Sequence, residues 1–235
     1  MLLYIISSLC IGCSGVIADI VLLVDISGSL ENPRSSQDVT LENYNYLIFF
    51  IVHFIRHFDI RSDKTRFGLV TFSETANNFF YLNTFSTEVR LTNSIYSIRH
   101  EGGGTNSAAA LALAMREQFT LNRGDRPDVP NFAVLLTYNT GTIDTGLTST
   151  YAQQMEASGI KSFTIGITDS VSEAELSLIS SRPKKKQINY FLVPDFSHLR
   201  GTESNIVKQI TWYTDYGNTF VVDCYFLAIL LYMHT

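Results

Sequence analysis

A chain of 235 residues with 46% hydrophobic and 17% charged content carries enough apolar material for one large globular domain, and is too short for two ordinary domains with a linker. Its formal net charge of −5 excludes nucleic-acid binding through the overall field of the protein, because phosphate recognition needs a basic face. The basic run Lys184–Lys185–Lys186, behind Arg182 and Pro183, is short and reads as a solvated loop.

The chain opens on "MLLYIISSLCIGCSGVIA", residues 1–18, an apolar stretch too short for a comfortable membrane span and ending in small residues. It reads as a secretory signal peptide cleaved after Ala18, although the usual basic beginning is missing. The rest of the chain is therefore expected to be secreted and extracellular. Cleavage after Ala18 leaves Cys224 as the single thiol of the mature chain, open to a disulfide-linked oligomer. Cleavage nearer Cys10 keeps Cys13, which could then bridge to Cys224; the sequence leaves both open. No N-x-[ST] acceptor for N-glycosylation occurs.

From Asp19 onward, short apolar runs alternate with stretches of helical period, the pattern of a parallel sheet covered by helices on both faces. The predicted strands are "DIVLLVD" (19–25), "RFGLVTFS" (66–73), "FAVLLTY" (132–138), "KSFTIGIT" (161–168) and "NYFLV" (189–193). "NNFFYLNTF" adds a short antiparallel edge strand. Leu47, Phe50, Ile51, Phe54, Ile55 and Phe58 recur at spacings of three and four and predict one long helix. Ala108, Leu111, Ala112, Met115 and Phe119 predict another, with Thr105 or Asn106 as its N-cap. Weaker helical patterns cover 87–98, 148–158, 172–180 and 197–212. The expected fold is α/β: a Rossmann-like open, mostly parallel sheet of about six strands with helices on both faces. The expected division is a leader (1–18), a domain (19–212) and an atypical apolar tail (213–235). "FVVDCYFLAILLYMH" in that tail carries Asp223 and falls short of a spanning helix.

Ligands of open parallel sheets gather at the carboxyl ends of the strands. "DISGS" puts Asp25, Ser27 and Ser29 at such an end, and "EGGGTNS" enters a helix that should flank the same crevice. Carboxylate and hydroxyl oxygens are hard donors suited to a small divalent cation. The bland alternative is that the serines turn the chain and Asp25 caps a helix. Three consecutive glycines before Thr105 weigh against it, because they let backbone pass close to something.

From about Asp19 to Arg200 the chain resembles a von Willebrand factor type A domain, also called integrin I-like. The resemblance rests on "DIVLLVDISGS", "RFGLVTFS" after a long amphipathic helix, "GGGTNSAAALALA", and "FAVLLT" followed by "IKSFTIGI". It implies a metal-ion-dependent adhesion site for Mg²⁺, or Mn²⁺ or Ca²⁺. Ser27, Ser29 and Thr105 would touch the cation through hydroxyls, Asp25 would hold it through water, and a partner's Glu or Asp would complete the shell. The family places an Asp after "LLT", and here that position is Tyr138, followed by Asn139. A phenol, titrating near 10, does not replace that charge. Asp144, six residues on, is the possible substitute.

The reading is a non-enzymatic extracellular binding module for a protein offering a carboxylate, a matrix component such as collagen among the candidates. The alternative is a metal-independent structural or self-associating module with a retired metal site. Catalysis has thin support: dinucleotide and Walker-type phosphate motifs and a G-x-S-x-G elbow are absent, and the histidines lack zinc spacing. A phosphatase with Asp25 as nucleophile would want a second Asp where Ser27 stands.

Overall fold

In the computed structural model, residues 15–28 and 37–216 are described. The expectations for residues 1–14, for Ser29 and for 217–235, and with them Cys10, Cys13 and Cys224, lie outside the described residues.

The elements run β1 (Asp19–Asp25), α1 (Gln37–Ile55), β2 (Arg66–Phe72), β3 (Ala76–Phe80), α2 (Glu88–Ile95), α3 (Ser107–Leu113), β4 (Asn131–Thr137), α4 (Thr145–Ala157), β5 (Lys161–Ile167), α5 (Glu173–Ile179), β6 (Tyr190–Val193) and α6 (Thr202–Tyr216). They form a six-stranded sheet in the order β3-β2-β1-β4-β5-β6. Every pairing is parallel except β2 with β3, where the register shifts between Leu69 and Val70. The chain leaves β1 for one side and later returns to its other side at β4. Strand order therefore reverses beside β1, and the tips of β1 and β4 open onto the crevice where ligands of such sheets bind.

Both faces of the sheet are covered, which is why the strands are apolar along their length. Ile20, Leu22 and Val24 join Val134 and Leu136 on one face, under Phe50, Phe54 and Ile55 of α1, Ile95 of α2 and Ile206 and Ile210 of α6. Val21 and Leu23 join Ala133 and Leu135 on the other, under Leu111 of α3, Met155 of α4 and Ile179 of α5. This two-residue alternation follows from the strand pleat, and each of the Val, Leu, Ile, Phe and Met side chains contributes roughly 1.5–3 kcal/mol when fully buried.

Three helical expectations are corrected. The stripe ending at Phe58 outlasts its helix: α1 stops at Ile55, and Phe58 is buried beyond it by edge-on ring contacts with Phe54 and Phe67. The helix expected through Phe119 is α-helical only to Leu113, then widens into a π turn over Ala114–Gln118. The helix expected over 197–212 is interrupted: a 3-10 turn spans Phe196–Leu199, Gly201 takes φ 94°, and α6 begins at Thr202. The basic loop is also less free than expected, since Lys184 Nζ donates to the carbonyls of Ser177 and Leu178 at the end of α5.

At the sheet's opposite end the chain is engaged before β1 begins. Val16 and Ala18 are buried, Thr65 Oγ1 donates to the Val16 carbonyl at 2.8 Å, and Arg66 N donates to that of Ala18 at 2.9 Å. Among the described residues no helix is long and apolar enough to cross a membrane.

Candidate functional site

The first loop leaves β1 at Asp25. Ile26 is tied to the neighbouring strand by its N–H on the Phe72 carbonyl, and its own carbonyl accepts from Glu101 N and Gly102 N. Gly28 N then donates to the Gly103 carbonyl at 3.0 Å. A Cβ on Gly28 would lie 3.1 Å from Gly103 N, a tight contact, so the missing side chain eases the close approach of the two backbones. Gly102 and Gly103 take φ 89° and 81°, which explains the glycine run: this second loop doubles back in the left-handed region. It delivers Thr105 just before α3, whose cap is Asn106, accepting from Ala109 N.

Ser27 Oγ and Thr105 Oγ1, from these two loops, lie 2.9 Å apart and both residues are buried. Below them is Asp25, fully buried, with Oδ1 accepting from Ser27 N at 2.9 Å and Oδ2 from the Thr137 hydroxyl at 2.7 Å. Burial pushes the Asp25 carboxyl up, and the Ser27 and Thr137 hydrogen bonds pull partly against it.

The third loop follows β4. Tyr138 turns inward: it is 2% exposed, its hydroxyl donates to the Ser27 carbonyl at 2.7 Å, and its ring packs on Phe196 at 5.5 Å. Burial, reinforced by the charge of Asp25, raises its pKa, so the phenol stays neutral. Asn139 faces the hydroxyl pair instead, donating from Nδ2 to Ser27 Oγ at 3.3 Å. Asp144 is held away, at φ 52° before α4, with Oδ2 accepting from Asn106 Nδ2 at 3.0 Å.

Sequence reading did not single out Glu175. Its carboxylate accepts from the Ser107 hydroxyl at 3.1 Å and from Gly141 N at 2.8 Å, clamping the third loop against α3. Its partners stand 68 and 34 residues away, so no local pattern marks it. Asn139 was legible only as the neighbour of an unexpected tyrosine. His100 Nε2 also reaches the Ser27 carbonyl.

Two oxygens on adjacent corners of an octahedron with ligand distances of about 2.0–2.1 Å are about 2.9 Å apart, the separation of the Ser27 and Thr105 hydroxyls. Above them is an open groove of about 570 Å³ lined by Gly28, Gly103, Thr105, Asn139 and Thr142. The donor set fits a hard cation in kind and spacing, but supplies one carboxylate. Among the described residues there is no group of three or more His, Cys, Asp and Glu that could hold a metal.

A sequence model of the von Willebrand factor type A domain matches residues 19–205. The collagen alpha-1(XII) chain of Notophthalmus viridescens is 31% identical over 195 residues, 83% of this chain and 19% of that protein. Matrilin-4 of Homo sapiens is 27% identical over 195 residues, 82% of this chain and 28% of that protein. This chain thus spans less than a third of either relative. Collagens and matrilins are matrix proteins and not enzymes, and the non-enzymatic reading agrees with them. Among solved structures, proximal thread matrix protein 1 from the mussel byssus, with a zinc-occupied MIDAS motif, superposes with a TM-score of 0.73 at 24% identity, over 85% of this chain and 48% of that one. At that identity the likeness is one of fold.

Proposed function

This chain belongs to the von Willebrand factor type A domain family, and on that premise we propose that it is a secreted binding module that recognises an acidic side chain of an extracellular matrix protein through a divalent cation. The observation that supports this reading is the pair of hydroxyls, Ser27 Oγ and Thr105 Oγ1, brought within 2.9 Å of each other from separate loops beneath an open groove. Asp25, Ser27 and Thr105, with Ser29 beside them in sequence, would hold Mg²⁺ or Mn²⁺. When bound, the cation supplies a positive centre that a partner's Glu or Asp completes. The protein's own part is to hold the two hydroxyls at the right spacing, to fix the Asp25 carboxyl beneath them through Ser27 N and the Thr137 hydroxyl, and to leave the groove side open. Zinc in the related mussel protein makes Zn²⁺ a further cation to assay.

Titration of the whole chain with Mn²⁺, followed by water-proton relaxation, tests the metal half. One saturable site lost in Thr105→Ala and Asp25→Asn is the expected result. Adhesion to immobilised matrix extract, reversed by EDTA and lost in the same variants, tests the binding half. Adhesion that ignores both EDTA and Thr105→Ala would sink the reading.

A second reading is favoured by Tyr138. With the phenol on the Ser27 carbonyl and Asn139 on the Ser27 hydroxyl, the three loops are joined by direct hydrogen bonds. A structural module with a retired metal site would keep these bonds and bind without a cation.

A further inference from the structure

The end of the sheet away from the candidate site bears on where the leader is removed. β1 is paired on both sides, Asp19 standing in register with Arg66 of β2 and with Asn131 of β4. The residues just before it continue that engagement. Val16 and Ala18 are buried and belong to the apolar core that α1 covers. The Val16 carbonyl accepts at 2.8 Å from Oγ1 of Thr65, a residue that is itself fully buried. The Ala18 carbonyl accepts from Arg66 N at 2.9 Å and from Arg126 Nη2 at 3.1 Å, and Asp19 N donates to the Pro130 carbonyl at 3.0 Å.

A signal peptidase acts on chain that has not yet folded, so burial does not shield the bond between Ala18 and Asp19. The consequence falls on the product. A cut there removes the acceptors of Thr65 Oγ1 and Arg66 N and leaves a gap where Val16 and Ala18 packed. It also turns Asp19 N into an ammonium, in a fully buried residue beside the Arg126 guanidinium. The small side chain of Ala18, which suggested cleavage after it, has a packing reason of its own: the residue is wholly enclosed where two arginine donors reach its carbonyl.

We infer that the leader is cut upstream of Val16, and that Val16, Ile17 and Ala18 are the first stretch of the mature domain rather than the last of the leader. The inference rests on the secretory reading above. Small residues stand one and three positions before the cut at the bonds that follow Cys10, Gly12, Ser14 and Gly15, so the chain offers such sites. A cut after Cys10 or Gly12 keeps Cys13 in the mature chain together with Cys224; a cut after Ser14 or Gly15 leaves Cys224 alone.

The test expresses the whole chain in a secreting animal cell line and reads the product in the medium by N-terminal sequencing and by intact mass after reduction. The expected first residue is Ile11, Cys13, Gly15 or Val16. Asp19 as the first residue of the folded product overturns the inference. Val16→Ala gives a second readout, and it still offers a small residue three positions before Asp19. With Val16 retained, the secreted variant is lighter than the wild type by two methylene groups and melts about 3–6 °C lower. A variant whose secreted mass and melting point both equal those of the wild type overturns the inference as well. Sequencing of the wild-type product decides by itself if Val16→Ala fails to be secreted. A product that keeps the whole stretch from Met1 would instead remove the secretory reading, and the inference with it.

Discussion

The Ser27 carbonyl faces two donors, the Tyr138 hydroxyl and His100 Nε2. Removing the phenol oxygen therefore leaves the carbonyl a partner, and Tyr138→Phe is expected to cost only about 1 kcal/mol, read as a shift of the urea midpoint at constant slope. A much larger loss would mean that the hydroxyl, rather than the ring on Phe196, holds the third loop in place. From the sequence, Tyr138 was legible as a missing charge. Its inward turn was not, because the partners that draw it in, Ser27 and Phe196, lie far from it along the chain. Asp195 offers a pH-dependent check at the same scale. Hydrogen bonds from Ser197, then from His198, hold its carboxyl down to about 2, from the ordinary 3.8. The folded state thus binds this proton less readily than the unfolded chain. The contribution to stability is full above the unfolded value and is lost as the pH falls through about 2. Asp195 is largely exposed, so solvent screening keeps that contribution below about 1 kcal/mol. Carboxyl-carbon NMR of Ser197→Ala should show the titration moving back up toward the unperturbed range.

At the scale of elements, the strands were legible because a sheet covered on both faces demands unbroken apolar runs, and the five apolar runs lie within two residues of their observed bounds, whereas the edge stretch "NNFFYLNTF" (77–85) runs five residues past the end of β3 at Phe80. Helix ends were not, because they answer to contacts made across the fold. The π turn after α3 is the clearest case. It carries Gln118 over Gly68, where an added Cβ would fall 2.3 Å from Gln118 Oε1, and lets the amide donate to the carbonyls of Leu69 and Phe80 beside the register shift in β2. Gln118→Ala would take a donor from buried carbonyls and open a gap, for an expected loss of about 2–4 kcal/mol. Gln118→Met, which restores volume without the donor, should recover part of it. Hydrogen exchange should quicken first in β3, the strand that the amide ties to β2. At the start of β1, Arg126 Nη2 lies 2.6 Å from Asp19 Oδ1 and also donates to the carbonyls of Ala18 and Lys64. Arg126→Met should cost about 3–5 kcal/mol by stranding a buried carboxylate, and Asp19→Asn in the same chain should return part of that loss, as double-mutant denaturation would register.

At the scale of the whole molecule, the run of elements followed from periodicity, and the convergence of the first two loops on one crevice from the open-sheet rule, whereas the strand order was not legible in the sequence. Periodicity says where a strand is but not which strand lies beside it. The motif residues Asp25, Ser27 and Thr105 were legible because the hard-cation ligation proposed for them restricts residue type. Glu175, the clamp, was not, because any acid at the right place in α5 would serve. The site's architecture also bears on how far stability depends on a cation. The loops are joined by direct bonds, Gly28 N to the Gly103 carbonyl, the Ser27 and Thr105 hydroxyls to each other, and Tyr138 to the Ser27 carbonyl. Stripping metal therefore leaves the fold its own fastenings, and the gain from adding metal should be no more than mass action gives. For a site with a Kd of about 1 mM, about 10 mM Mn²⁺ contributes about 1.4 kcal/mol. In a domain of this size that corresponds to a Tm about 3–6 °C higher than in EDTA. Calorimetry of the wild type beside Thr105→Ala should show this difference and its disappearance. A collapse of cooperative melting in EDTA would mean instead that the three loops need the cation to assemble.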